Sequence, residues 1–417
     1  MVWDFSGPPP SDLGDREVPL EGNHLQGKRV ALLITGGIAA MKAPFIARAL
    51  RRQGAQVIAF VSKAGLRYVT AETLAWSTNN RVITHLTPGA EHLSDDNPFH
   101  LYLVAPATYN TINKFSHGIA DGVITSTLAS ALGRLEMGKS KILIVPTMHG
   151  SLHNSILIQS LNILHQKGVE IMKPRQDYGK DNIPDEKDIT VEVCRFISES
   201  YLKNKPILVT GGPTPVEIDN IRRLTNIFTG QLGIYIAEEL YLKGADVRLI
   251  HGSSICSPPA YLPHKIINSY DDYYREIIAL LGNTKVGIFS AAVADYRPAE
   301  VFKGKIPSGG AFNNISLIPT VKVIEKVRES FPDLYMITFK YQDDITHEEL
   351  MNIARKRLQK YQVVIANRGE EKGDKGEQIA YLVCQQEPVE KFTGKRSIAR
   401  GIVHHLEKYS HSIFSPR

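Results

Sequence analysis

Cysteine is scarce in this sequence: Cys194, Cys256 and Cys384 are the only three in 417 residues, far apart and without Cys-x-x-Cys or histidine spacing. That excludes a disulfide framework and argues against a zinc site, so all three read as buried thiols. No apolar run approaches the ~20 residues a membrane helix needs. The amino terminus lacks the basic-then-apolar order of a signal peptide, and the expectation is a cytosolic protein. A block of basic residues is also missing: the net charge is +6, but lysines and arginines are scattered, which suits anionic small substrates at least as well as nucleic acid. The GxGxxG dinucleotide pattern is absent.

What the chain does contain is one beginning stated twice. Leu32-Leu33-Ile34 runs into Thr35-Gly36-Gly37, and Ile207-Leu208-Val209 runs into Thr210-Gly211-Gly212, each an apolar strand feeding a glycine turn. A helical stretch ending in Gly-Ala and a further strand follow each, from Arg48 and from Glu238, which is the βαβ rhythm of α/β proteins. Two Rossmann-like three-layer domains with mainly parallel sheets are expected, at 28–187 and 205–417. Residues 1–27 read as a tail without apolar periodicity, and 188–204 as a helical linker. Nineteen positions separate Thr35 from Gly54 but thirty-four separate Thr210 from Gly244, so the second copy carries fifteen extra residues between turn and helix. An insertion at the carboxyl end of a parallel strand lies where open α/β sheets bind ligands. This one carries Asp219, Arg222, Asn226 and Thr229, and reads as a site.

In the first copy, Gly36 and Gly37 let the backbone approach an anion and the following helix start offers free N–H groups, although a Gly-Gly turn is equally an ordinary tight turn. His92, in AEHL, precedes the strand Leu101 to Val104, which runs into APATYNT and straight into a helix. That puts Thr108, Asn110 and Thr111 at a helix amino terminus, where they bind an anion or a flavin edge, or simply cap the helix. A third strand-end loop on the same side of the sheet runs from Pro146 to Ser151.

With these motifs in place, residues 28 to about 185 resemble the flavin-dependent phosphopantothenoylcysteine decarboxylases, and 205 to about 406 resemble the phosphopantothenate-cysteine ligases, in the order of the fused enzymes. The resemblance rests on TGGIAAMKA, on His92 at its distance before APATYNT, on GIADGVITSTL, VTGGPTPVEIDNIRRLTN and AAVADYRP, and on Asn367 in IAN. It implies a flavodoxin-like first domain, often trimeric, that holds FMN through Gly36, Gly37, Ile38, Ser62, Ala105, Pro106, Thr108, Thr111, Ser126, Thr127 and Met148. It also implies His92 as base when a cysteinyl thiol is oxidised to a thioaldehyde, and Asn110 as holder of the carboxylate that leaves as CO2. A flavin suits this chemistry because decarboxylation needs an adjacent electron sink and no side chain accepts a hydride. Imidazole suits the base because its ordinary pKa of ~6.5 lies near working pH. Two departures stand out. His149 replaces an asparagine of the family, and the substrate-covering stretch 173–185, KPRQDYGKDNIPD, lacks the cysteine that protonates an enethiolate in many bacterial members. Tyr178 and Lys180 are the residues there able to deliver a proton.

For the second domain the resemblance implies that 4'-phosphopantothenate is activated by a nucleoside triphosphate, CTP or ATP, and that the amine of cysteine attacks the acyl-nucleotide. Asn226 would contact the activated intermediate, and Lys305, with Lys303 as its substitute, would neutralise charge on the attacked phosphate. Gly211, Gly212, Asp219, Arg222, Ala292, Asp295, Phe339, Lys340 and Asn367 would contact nucleotide or substrate, with Asp295 also on Mg2+. The family's NxSSG reads Asn226-Ile227-Phe228-Thr229-Gly230 here, and the charged loop 369–377 is either a nucleotide-covering flap or a solvated turn. The expected partners are small molecules and further copies of the chain, trimeric through the first domain and dimeric through the second, with neither nucleic acid nor membrane. Two rivals remain: a flavin-binding first domain without turnover, and a nicotinamide-dependent reductase, which the βαβ rhythm fits and the missing GxGxxG opposes.

Overall fold

The computed structural model describes residues 5–7, 9–93, 96–307, 309 and 314–415. The chain divides between Ile197 and Ser198 into two compact units. In the first, five parallel strands lie in the order Gln56–Val61, Arg29–Ile34, Leu101–Ala107, Lys141–Pro146, Glu170–Ile171. Leu101–Ala107 is buried at every position and Arg29–Ile34 at all but the first, the continuous apolar run of a sheet covered on both faces. The strand order reverses between those two strands, so the crevice beyond their carboxyl ends is the switch point where such sheets bind ligands. Helix Ala43–Arg52 buries Ala43, Ile46, Ala47 and Leu50, an i, i+3, i+4, i+7 stripe. Leu50→Ala there would cost ~2–5 kcal/mol.

Two expectations about segment boundaries meet a different structure. Within 1–27, Leu25 is fully buried and Val18 nearly so, and the N–H groups of Glu21, Gly22 and Leu25 donate to the carbonyls of Arg52 and Gln53. Two isolated apolar anchors do not make a period, which is why the docking was invisible in the sequence. The helix expected to link the domains, Glu186–Ile197, is the last element of the first unit and buries Ile189, Val193, Cys194 and Ile197 there.

The second unit carries eight strands in the order His264–Ile267, Asp246–Gly252, Pro206–Gly211, Val286–Phe289, Tyr335–Gln342, Val363–Arg368, Ile379–Cys384, Glu390–Thr393. The first six run parallel and the last two add antiparallel. The long helix Lys395–Phe414 buries Ile398, Ala399, Ile402, Val403 and Leu406 in the core of this unit. Thr346 and Glu349 form a reciprocal capping box that starts helix His347–Arg357. At the glycine turn, Gly212 and Gly230 both have positive φ, and a Cβ on Gly230 would lie 2.3 Å from Nε2 of His251 and 2.4 Å from the nitrogen of Gly212. Only glycine fits that crossing. Among the described residues no helix is long and apolar enough to cross a membrane.

Candidate active sites

A cavity of about 1060 Å³ in the first unit opens where the strand order predicts. Its wall collects the ends of four strands: Gly36, Gly37 and Ile38; Ser62; Pro106, Thr108, Asn110 and Thr111; and Met148 with His149. Thr35 ties two of these loops together, its Oγ1 donating to the carbonyl of Pro106 (2.7 Å) and accepting from the nitrogen of Thr108 (3.3 Å). The Ala105–Pro106 peptide is cis. Gly36 lies so close to the neighbouring turn that a Cβ there would sit 2.4 Å from Cβ of Ala64.

Helix Tyr109–Ser116 starts at Thr108 without a side-chain cap, and its first-turn N–H groups belong to wall residues. The glycine turn likewise leads into the short helix Ile38–Lys42 without a cap from Gly37. These are receptors for negative charge. Ser126 also lines the cavity, its hydroxyl bonded to the carbonyl of Ala120. A cradle of glycine backbone, uncapped helix starts and small hydroxyls, of this volume, fits a flavin mononucleotide.

Three of the residues expected at this site do not reach the wall. Thr127 is fully buried and its hydroxyl donates to the carbonyl of Val123 (2.6 Å), so it serves its own helix. Ala105 is enclosed within its strand. His92 sits in a turn off the wall, its Nδ1 buried without a partner. The sequence located these residues by motif, and motif position does not say which way a side chain points.

The covering stretch is a hairpin. Arg175–Asp177 pairs with Lys180–Asn182, which pairs in turn with Met148–His149, so the flap is hydrogen-bonded to the wall itself. Tyr178 and Gly179 make the turn with positive φ. Lys180, Asp181 and Asn182 line the cavity, whereas Tyr178 is 90% exposed at the tip. Asp181 is buried and engages His153 Nδ1 (3.0 Å) and Gln176 (3.4 Å).

In the second unit two neighbouring cavities, about 620 and 350 Å³, share Phe228, Ala291, Ala292, Phe339 and Tyr341. The larger takes in Gly212, the start of helix Gln231–Leu242 and Asn367, and the loop 369–377 contributes Gly369, Glu371, Lys372 and Gly376 to its wall. The smaller takes in Asn226, Asp295 and Lys340. Asn226 Nδ2 donates to the carbonyl of Ala292 (2.8 Å), which fixes the amide and leaves its oxygen available. Burial pushes the Lys340 ammonium down, and nearby Arg357 and Lys322 push it further. Arg357, with its Nε buried and unpartnered, and Lys322 are wall residues that sequence reasoning missed. A lone arginine late in a helix carries no motif signal.

Asp219 is not a ligand-facing acid. It is 1% exposed and accepts from the nitrogens of Ile221 (2.8 Å), Arg222 (2.6 Å) and Ile306 (3.1 Å) and from the Arg222 guanidinium (2.6 Å). Burial works against its charge, and those donors overcome it, holding the carboxyl well below the usual carboxylate range. Arg222 is thereby tethered, although its side chain stays 43% exposed. Gly211 lies beneath the turn rather than on the cavity wall, and Lys303 and Lys305 are exposed and outside both walls. Asp295 pairs with Lys322. Among the described residues the one cluster of three metal-ligating side chains is Cys384, Glu387 and His405, so none forms around Asp295.

The flavodoxin strand order and the cavity at its switch point define a flavoprotein-type α/β unit, followed by a second α/β unit with its own ligand cavities. Residues 20–198 match the family described as Flavoprotein, and 202–409 match the DNA/pantothenate metabolism flavoprotein C-terminal domain. The chain is 33% identical over 353 residues to the coenzyme A biosynthesis bifunctional protein CoaBC of Thermococcus kodakarensis, covering 82% of this chain and 86% of that protein. It is 28% identical over 388 residues to the CoaBC protein of Methanocaldococcus jannaschii, covering 92% and 94%. Among solved structures, the DNA/pantothenate metabolism flavoprotein from Streptococcus pneumoniae is 29% identical, covers 49% of this chain and 99% of that one, and superposes with a TM-score of 0.44. The chain belongs to the family of bifunctional coenzyme A biosynthesis proteins.

Proposed function

We propose that the chain carries out two consecutive steps of coenzyme A biosynthesis in the cytoplasm: ligation of 4'-phosphopantothenate to cysteine in the second unit, then decarboxylation of phosphopantothenoylcysteine to 4'-phosphopantetheine in the first. The observation that carries the reading is the 1060 Å³ cavity, whose wall gathers Gly36, Gly37, Ser62, Thr108, Asn110, Thr111, Ser126 and Met148 from loops far apart in sequence. Bound FMN would supply the electron sink that makes loss of the carboxylate feasible. Gly36, Gly37, Ser62, Thr108 and Thr111 are the residues to hold it. Asn110, exposed at the helix start, is placed to hold the carboxylate that leaves. His92 acts as base once its turn moves or a further copy in the expected trimer presents it.

In the second unit, the free oxygen of Asn226 and the cation Lys340 on the smaller cavity's wall support activation of the substrate carboxylate by a nucleotide, CTP in our reading. Arg222, tethered by Asp219 outside both walls, would have to swing in to add its charge. Lys305 and Lys303 join them when their loop closes. With Asp295 already paired to Lys322, Mg2+ draws most of its ligands from phosphates and water. Dimerisation through this unit completes the assembly. The test is incubation of purified protein with 4'-phosphopantothenate, cysteine, Mg2+ and either CTP or ATP, with mass spectrometry of products and the visible spectrum recorded beforehand. A yellow protein releasing 4'-phosphopantetheine supports both halves. Accumulation of phosphopantothenoylcysteine refutes the decarboxylase half, and absence of any amide product refutes the ligase half.

A further inference from the structure

We propose that Lys180 is the acid that completes decarboxylation in the first unit, protonating carbon after CO2 has left. The inference rests on the decarboxylase reading above. With bound FMN as hydride acceptor, oxidation of the cysteinyl CH2–SH to CH=S would give the thiol proton to a base, His92 in that reading, and a hydride to the flavin; breaking the Cα–carboxylate bond would then leave its electron pair as an enethiolate. To return the hydride, the system first needs a new C–H bond at Cα: the enethiolate takes a proton there and becomes a thioaldehyde, whose CH=S carbon then accepts the hydride and yields the product thiolate. One proton is therefore consumed at carbon per turnover, and an acid positioned on the cavity wall delivers it faster than water does.

The wall offers few such groups. Tyr178 is excluded by its place at the hairpin tip, 90% exposed and off the wall. Asp181 accepts from His153 and Gln176. Lys114 is held by Asp121. His149 accepts the N–H of Ser151 at Nδ1 (3.2 Å), so its ring presents Nε2–H as a hydrogen-bond donor and not a spare proton. Lys63 lies beside Ser62 at the end of strand Gln56–Val61, three strands from Met148–His149 and so roughly 14 Å across the cavity. Lys180 remains. It is directly opposite His149 in the antiparallel ladder, so the two side chains share a face, and it forms no ion pair among the described residues. Being exposed, its ammonium is recharged from solvent.

The experiment uses the flavin-loaded full-length protein under anaerobic conditions with phosphopantothenoylcysteine, reading CO2, product identity by mass spectrometry and flavin absorption. Lys180→Gln and Lys180→Arg should retain flavin, release about one CO2 per flavin, leave the flavin bleached and accumulate the enethiol, with steady-state 4'-phosphopantetheine falling at least 100-fold. Arginine keeps the charge but does not release a proton at neutral pH, so it separates acid catalysis from charge. Tyr178→Phe should behave as the parent. If both Lys180 variants stop CO2 release as well, Lys180 grips the substrate carboxylate and the proposal is overturned. It is equally overturned if they turn over normally. If the parent protein itself releases no CO2, the decarboxylase reading fails first and takes the proposal with it.

Discussion

Gly36→Ala tests how tightly the flavin cradle is built. The added Cβ would lie 2.4 Å from Cβ of Ala64, with the Ala64 carbonyl carbon at 3.1 Å and Cα at 3.3 Å. Real Cβ atoms do not approach that closely, so one of two strand-end turns must give way. Both turns end buried strands, Arg29–Ile34 and Gln56–Val61, paired in register along their whole length, so the displacement has little room to dissipate. Overpacking of this kind costs ~1–3 kcal/mol. For a unit of about 200 residues, ~2 kcal/mol lowers Tm by ~4–8 °C. Because both turns line the cavity, flavin occupancy falls as well. Ala64→Gly removes the nearest atom and leaves contacts above 3.0 Å. The double variant should therefore recover at least half of the lost Tm and most of the bound flavin, a favourable coupling in a double-mutant cycle. Melting would be followed by circular dichroism and flavin by its absorbance after desalting. A Gly36→Ala protein that keeps parental flavin content and Tm, or a double variant no better than the single, refutes the close-approach argument.

Further outcomes follow from particular contacts. Thr127→Val should leave flavin binding unchanged, since that hydroxyl is spent on Val123, while Ser126→Ala and Thr111→Val on the wall should weaken it severalfold, measured by flavin titration of apoprotein. Asp219→Asn should increase hydrogen exchange in both 216–224 and 302–307 and lower ligase turnover at least tenfold, with CO2 release from preformed phosphopantothenoylcysteine unaffected; exchange confined to one segment would refute it. Burial pushes His405 down to about 4, from an ordinary value of 6.5. Its folded form resists protonation, so the stability it contributes is full above pH ~6.5 and is lost progressively as pH falls toward 4, by on the order of 3 kcal/mol. Denaturant melts between pH 7 and 5 should show this slope, and His405→Gln should flatten it.

The doubled α/β plan was legible because strand, glycine turn and helix are written locally. Thr35-Gly36-Gly37 and Thr210-Gly211-Gly212 each announce a buried strand by continuous apolar character and its end by glycine. The wall loops were legible for the same reason, since Thr108, Asn110 and Thr111 are adjacent in sequence. What failed was direction. Asp219 looked like a ligand because acids in insertions often are, yet four donors converge on it, one of them from Ile306, eighty-seven positions away. Arg357 and Lys322 arrive at the smaller cavity from helices and loops whose local patterns say only that they are amphipathic. Leu25 anchors a segment by a single side chain, below any periodic signal.

The carboxylate of Asp219 also changes how the second unit can vary. It fastens the insertion to the 302–306 segment through its own bonds, and Asn220 N–H to Gly304 oxygen and Phe302 N–H to Ile218 oxygen add two backbone ties. Two stretches separated by some eighty residues are thus tied into one part. A loop graft from a relative that exchanges one without the other would join halves cut for different partners. Exchange of both together, with the aspartate and arginine kept as a pair, is the unit in which this ligase can be re-engineered.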